Sequence, residues 1–211
     1  LFRSGDESFS RLILGDGYMD MTLENITKGE PMGVYGTEEE GGMFIGITLN
    51  NIMVSFNVFV SGVLTSFMSG FLLFRNGIMV GCFDTFFYQH GLLGESLLAT
   101  MLHGTLELSA IIVAGAAGLA IGNGWLFPGT YSRLVSFQRG AKRGMKIVVG
   151  TVPIFIMAGF IEAFITRHTE LNNFIRLGII VVSLAFVVYY FIYLPYKRNY
   201  HLENANRKTK D

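Results

Sequence analysis

Charge is absent from residues 41–74, and three more long apolar stretches follow at 96–122, 147–166 and 177–194. A helix rising 1.5 Å per residue needs about 20 residues to cross a hydrocarbon core of about 30 Å, so each stretch predicts a membrane span. His103 and Glu107 interrupt the second, Glu162 interrupts the third, and Pro195 is expected to stop the last. The 34 residues of 41–74 would make a helix about 50 Å long, which predicts one long, tilted span. Within it Asn50, Asn51 and Asn57 would be costly against lipid, whereas Ser61, Gly62, Ser66, Ser69 and Gly70 permit close helix approach. Arg75-Asn76-Gly77 reads as an interfacial turn. The next apolar run, 78–88, is short and carries Asp84. It predicts either a short crossing or a re-entrant helix packed inside protein.

Upstream, Phe9, Leu12, Ile13, Tyr18 or Met19, Leu23 and Ile26 recur at helical spacing, as in a short helix lying on the bilayer, and Gly29, Pro31, Gly33 and Gly36 break it. The fold class expected is all-α, a polytopic transmembrane helix bundle of four to five membrane helices, one of them short or re-entrant. Three parts are expected: an acidic extracytoplasmic segment (1–42), the helical bundle (43–195) and a basic cytoplasmic tail (196–211). Residue 1 is Leu and the first three residues lack the order of a signal peptide, so a further upstream segment is expected.

Composition supports the membrane assignment. Hydrophobic residues make up 51% of the chain and charged residues 15%, against about 25% charged in soluble domains, which excludes a water-soluble globule. Sixteen basic residues balance sixteen acidic ones, so no global field attracts nucleic acid. The lone Cys82 permits neither an intrachain disulfide nor a thiolate cluster. The charges are nevertheless segregated. Residues 1–42 hold nine acids and three bases, net −6, whereas 123–146 hold Arg133, Arg139, Lys142, Arg143 and Lys146 with no acid. The tail adds Lys197, Arg198, Arg207, Lys208 and Lys210. By the positive-inside rule the 123–146 loop and the C-terminus are cytoplasmic, with 1–42 and 167–176 outside. The basic group suits anionic headgroups, and Tyr189, Tyr190, Tyr193 and Tyr196 suit an interfacial aromatic belt.

Candidate chemistry centres on His103 and Glu107, four residues apart and so on one helix face inside an apolar span. Counted in turns from the outer helix ends, Glu162 on the following antiparallel span can reach both. Such a cluster is an interhelical polar clamp, an ion or proton path, or a metal or hydrolytic site with Asp84 as a fourth ligand. The clamp is preferred, because buried polar pairs in membranes are more often fixed than moving. Neither a His-Glu-x-x-His metal motif, a phosphate-binding Gly-rich loop nor a nucleophile elbow occurs. No catalytic residue, resident metal or cofactor is therefore expected. Gly115, Gly118 and Gly122 form a small-residue stripe for close packing, and Gly104 is expected to admit a neighbouring helix beside His103.

The residues Asn50-Asn51, Arg75-Asn76-Gly77, His103-Gly104-x-x-Glu107-Leu108, the Ala/Gly-rich run to Gly122, Pro128-Gly129, Arg133 in a basic loop, and Ile161-Glu162-Ala163-Phe164 form a recognisable order. Over about residues 41–170 the chain resembles the stage II sporulation protein M family of multi-pass membrane proteins. The resemblance implies a bacterial inner-membrane protein, all-helical, with one further span upstream. Its namesake recruits peptidoglycan-degrading partners in spore formers. A non-enzymatic scaffold for other envelope proteins is the function implied, with the lipid bilayer as first partner. The alternatives are an ion- or proton-coupled transporter or channel subunit using the His/Glu cluster, and an intramembrane metal-dependent hydrolase. Small-residue helix faces also allow a homo-oligomer.

Overall fold

The computed structural model describes residues 7–29, 31, 33, 40–166 and 171–198. Seven α-helices follow one another: α1 (Ser8–Leu14), α2 (Asp16–Thr27), α3 (Glu40–Leu64), α4 (Ser66–Gln89), α5 (Leu93–Leu126), α6 (Arg133–Ile161) and α7 (Asn173–Val187). Wide π-helical turns extend α6 over Glu162–Thr166 and α7 over Val188–Tyr193. No strand occurs among the described residues. Five helices are long and apolar enough to cross a membrane: Gly41–Leu64, Ser66–Gln89, Leu93–Leu126, Arg133–Thr166 and Asn173–Arg198. The protein is therefore an all-α, multi-pass membrane protein.

The single long helix expected over 41–74 is instead two. Thr65 adopts an extended backbone (φ −158°, ψ 146°) and its hydroxyl accepts the Met68 amide at 3.2 Å, capping α4. Two helices of about 36 Å fit a bilayer where one of about 50 Å does not. The hairpin is closed by side chains. Ser69 Oγ donates to Val58 O at 2.6 Å, and Ser66 Oγ donates to Asn123 Oδ1 at 3.1 Å. Arg75-Asn76-Gly77 is consequently no turn. It lies inside α4, where Asn76 Nδ2 donates back to Leu72 O at 2.9 Å. Residues 78–88 are the second half of a complete span, neither a short crossing nor a re-entrant helix. Thr65→Ala should cost about 1 kcal/mol through loss of the cap. Thermal unfolding in detergent, with faster amide exchange at Met68, is the check.

Further departures lie at the helix ends. The basic group is not in a loop: helix α6 starts at Arg133, capped by Ser132, so Arg133, Arg139, Lys142, Arg143 and Lys146 stand exposed along its first turns. Arg139 lies 4.1 Å over the Tyr131 ring. Pro195 does not stop the last helix, which continues to Arg198. A proline two residues after a wide turn is accommodated where the ladder is already relaxed. Tyr189 and Tyr193 stack there at 5.6 Å. Arg207, Lys208 and Lys210 lie outside the described residues, as do Asp6, Glu30, Glu38 and Glu39 of the acidic segment.

Helix α5 is the axis of the bundle, touching α3, α4, α6 and α7. One core layer joins Leu106, Ala110 and Ile111 of α5 to Ile154, Phe155 and Ala158 of α6, and another joins Phe59, Ala114, Ala117, Ile121 and Val148. The α5 stripe lets backbones meet. A Cβ on Gly118 would lie 2.9 Å from Phe59 O, one on Gly122 would lie 2.6 Å from Ser66 N, and one on Gly115 would strike Leu73. Gly104 differs from expectation, since its added Cβ would meet only Thr100 and Leu108 of its own helix, at 3.8 and 3.9 Å.

The amphipathic segment upstream is two helices, hinged at Gly15, whose positive φ of 90° suits glycine. They do not lie on bare bilayer. Met19 and Thr22 are fully buried, and Met19 packs with Phe86, Phe87 and Ala99 at one end of α4 and α5. Burial raises the Tyr18 phenol, while Lys28, bonded to Glu24 at 2.7 Å, lowers that exposed carboxyl.

Candidate functional site

Three ionisable side chains converge inside the spans. His103 and Glu107 leave α5 one turn apart, and Glu162 opens the π-turn that ends α6. Ligand-type atoms of all three lie within 4.8 Å of one another. His103 Nε2 is 3.7 Å from Glu162 Oε1, with side-chain exposures of 8% and 12%, so the contact is shielded from water. A wide turn in place of a regular one is a common device at functional positions, because it re-aims side chains without breaking the helix.

Each end of the cluster is held by a further side chain. Thr166, last in the π-turn, places Oγ1 at 3.5 Å from His103 Nδ1 and donates to Ile161 O at 3.3 Å. On the opposite side Asn51 of α3, itself buried, hydrogen-bonds Glu107. Asn50 Nδ2 in turn lies 3.4 Å from Asn51 Oδ1. Helices α3, α5 and α6 are thereby tied through polar groups at one depth, where nothing in lipid would otherwise satisfy them.

A cavity of about 350 Å³ opens beside the cluster, lined by Met43, Gly46, Ile47, Asn50 and Asn51 of α3 together with His103, Glu107 and Glu162. Ionisable groups of both signs, amide donors and room for water are present together. Such a set can exchange a proton, hold a cation or lock helices.

Of the residues singled out from sequence, His103, Glu107, Glu162, Asn50 and Asn51 meet here. Asp84 does not: the cluster comprises three groups, and Asp84 stays on α4 with Oδ1 buried and unbonded among the described residues. Thr166 went unrecognised, because a threonine at a span's end carries no distinguishing signal. Arg176, 7% exposed near the start of α7, was also passed over. A lone arginine just before the apolar run at 177–194 was the available signal. A second cavity of about 430 Å³, lined among others by Asn57, Arg75 and Asn76, lies between α3, α4 and α1.

Compared with known proteins, residues 14–167 match the profile of the family described as Stage II sporulation protein M. No curated protein and no solved structure matches the chain.

Proposed function

The chain belongs to the stage II sporulation protein M family, and from that premise we propose that it is a non-catalytic scaffold of the bacterial cytoplasmic membrane, holding envelope-acting proteins in register. The observation that carries this reading is the docking of α2. Its buried face, Met19 and Thr22, is fixed on the bundle, while Asp16 and Asp20 stand 80% and 66% exposed around Arg11. A rigid platform presenting carboxylates to the outside suits a basic partner surface, and the family namesake's role supports an envelope partner. The exposed bases of α6 then face the cytoplasm beside anionic headgroups.

The test is gentle extraction from the native membrane, followed by weighing of the intact assembly. Stoichiometric envelope proteins are expected with the parent chain. Asp16→Lys/Asp20→Lys should reduce them on the order of tenfold or more by like-charge repulsion. The bundle should remain folded, since exposed ion pairs contribute little. A second reading is favoured by one observation, the cavity beside three ionisable groups: movement of a proton or cation. A lone chain or homo-oligomer that passes a pH-dependent cation flux in liposomes would overturn the scaffold in favour of transport.

A further inference from the structure

We propose that His103, Glu107 and Glu162 bind one divalent first-row transition-metal ion, of the Zn²⁺ or Mn²⁺ class, between α5 and the π-turn of α6.

The geometry of the cluster is that of ligands around an ion more than that of an ion pair. Direct N–H···O bonds span 2.7–3.2 Å. At 3.7 Å, His103 Nε2 and Glu162 Oε1 are too far apart to bond well. Two ligands at metal distances of about 2.0–2.2 Å, in contrast, lie on the order of 3.5 Å from each other. The third ligand atom, from Glu107, belongs to a group up to 4.8 Å across, so an ion held at about 2.0–2.2 Å by all three draws the side chains slightly inwards.

The hydroxyl of Thr166 supplies an independent argument. Its oxygen lies 3.3 Å from Ile161 O and 3.5 Å from His103 Nδ1, and where its proton goes to the carbonyl, the imidazole hydrogen sits on Nδ1. Nε2 then turns its own lone pair towards the Glu162 carboxylate. In that tautomer an imidazole nitrogen and two carboxylates meet in a shielded site, an arrangement that an ion held among them satisfies. Carboxyl or imidazole protonation is the competing way to relieve this, and the experiment below separates the two.

The surroundings match the second shell of a metal centre. Thr166 orients the imidazole, Asn51 bonds Glu107, and Asn50 lies against Asn51. The cavity of about 350 Å³ on the α3 side offers room for water ligands and for entry. One imidazole and two carboxylates, without sulfur, suit Zn²⁺, Mn²⁺ or Fe²⁺. Ca²⁺ would ask for six to eight oxygens. Such an ion ties α5 to α6, a role independent of which partners the scaffold holds.

Co²⁺ is the probe, added to the tag-free full chain in detergent after chelator treatment. One Co²⁺ per chain is expected, with ligand-field absorption bands that Zn²⁺ abolishes. Glu162→Gln and His103→Gln should lose the bands. Thr166→Val, which keeps all three ligands, should weaken binding roughly 10–100-fold, and it serves if the ligand variants do not fold. Asp84→Asn should bind as the parent does. A folded parent that takes up no stoichiometric Co²⁺ leaves protonation as the answer and overturns the proposal. So does a Glu162→Gln or Thr166→Val chain binding as tightly as the parent, or loss of the bands in Asp84→Asn. Failure of this test leaves the partner assay untouched, and failure of the partner assay leaves this one untouched.

Discussion

Gly62→Val and Gly118→Val are each expected to dismantle the bundle. A Cβ on Gly62 would fall on the backbone of Gly118, 2.7 Å from its Cα, and a Cβ on Gly118 would lie 2.9 Å from Phe59 O and 3.1 Å from Val58 O. The obstacles are main-chain atoms in regular helices, so no rotamer change relieves them. Helices α3 and α5 would have to separate, opening the contact that also seats Phe59 against Ala114 and Ala117. Without a hydrophobic drive inside lipid, that packing is what holds the helices together. The cost should reach about 3 kcal/mol or more, a fall in Tm of roughly 10 °C, seen as loss of a monodisperse peak after mild heating in detergent. Gly70→Val is the matched control, since nothing lies within 4 Å of its added Cβ. It should fold as the parent does. If Gly62→Val behaves like Gly70→Val, the close approach of α3 to α5 is wrong.

His103→Leu, in chelator-treated protein, is expected to cost about 1–3 kcal/mol, because it leaves the Glu107 and Glu162 carboxylates side by side and without their imidazole. The triple change His103→Leu/Glu107→Leu/Glu162→Leu should return stability to within about 1 kcal/mol of the parent. A fully apolar replacement removes the desolvation cost along with the interactions. Metal binding should be lost regardless. This comparison separates a cluster kept for its chemistry from the interhelical clamp that the sequence favours. A triple variant less stable than His103→Leu would mean that the polar contacts supply net stability, and the clamp would stand. Unfolding of all three chains under one detergent condition is sufficient, because the residues are in contact and their effects do not add.

Together the two comparisons divide the bundle by depth. Towards the Thr65 hairpin, small residues on α5 let backbones touch, with serine hydroxyls bonding the carbonyls so exposed. Towards α2, the same helix carries His103 and Glu107, and its neighbours answer with Asn51 and the π-turn. Helix α2 packs on the polar end, its Met19 against Phe86, Phe87 and Ala99.

Hydropathy alone determined the class of this protein. Runs lacking charge and longer than a bilayer is thick can be satisfied only as helices, because a helix alone bonds its own backbone within one segment. The same local rule marked His103, Glu107 and Glu162, since an ionisable residue in such a run stands out whatever surrounds it. Their spacing of four put the first two on one face. Local patterns stop being informative where the pattern is uniform. Across 41–74 nothing in the residues distinguishes one helix from two, and Arg75-Asn76-Gly77 looked like the better turn. Tertiary structure placed the break at Thr65, where Ser66 and Ser69 find partners on α5 and α3 that sequence neighbours cannot supply. It also decided that α2 rests on α4 and α5, that Glu162 opens a π-turn aiming Thr166 at His103, and that Asn51, and not Asp84, joins the site. Each of these depends on which faces meet across 50 residues or more of chain, and packing between helices, not the period within one, fixes that.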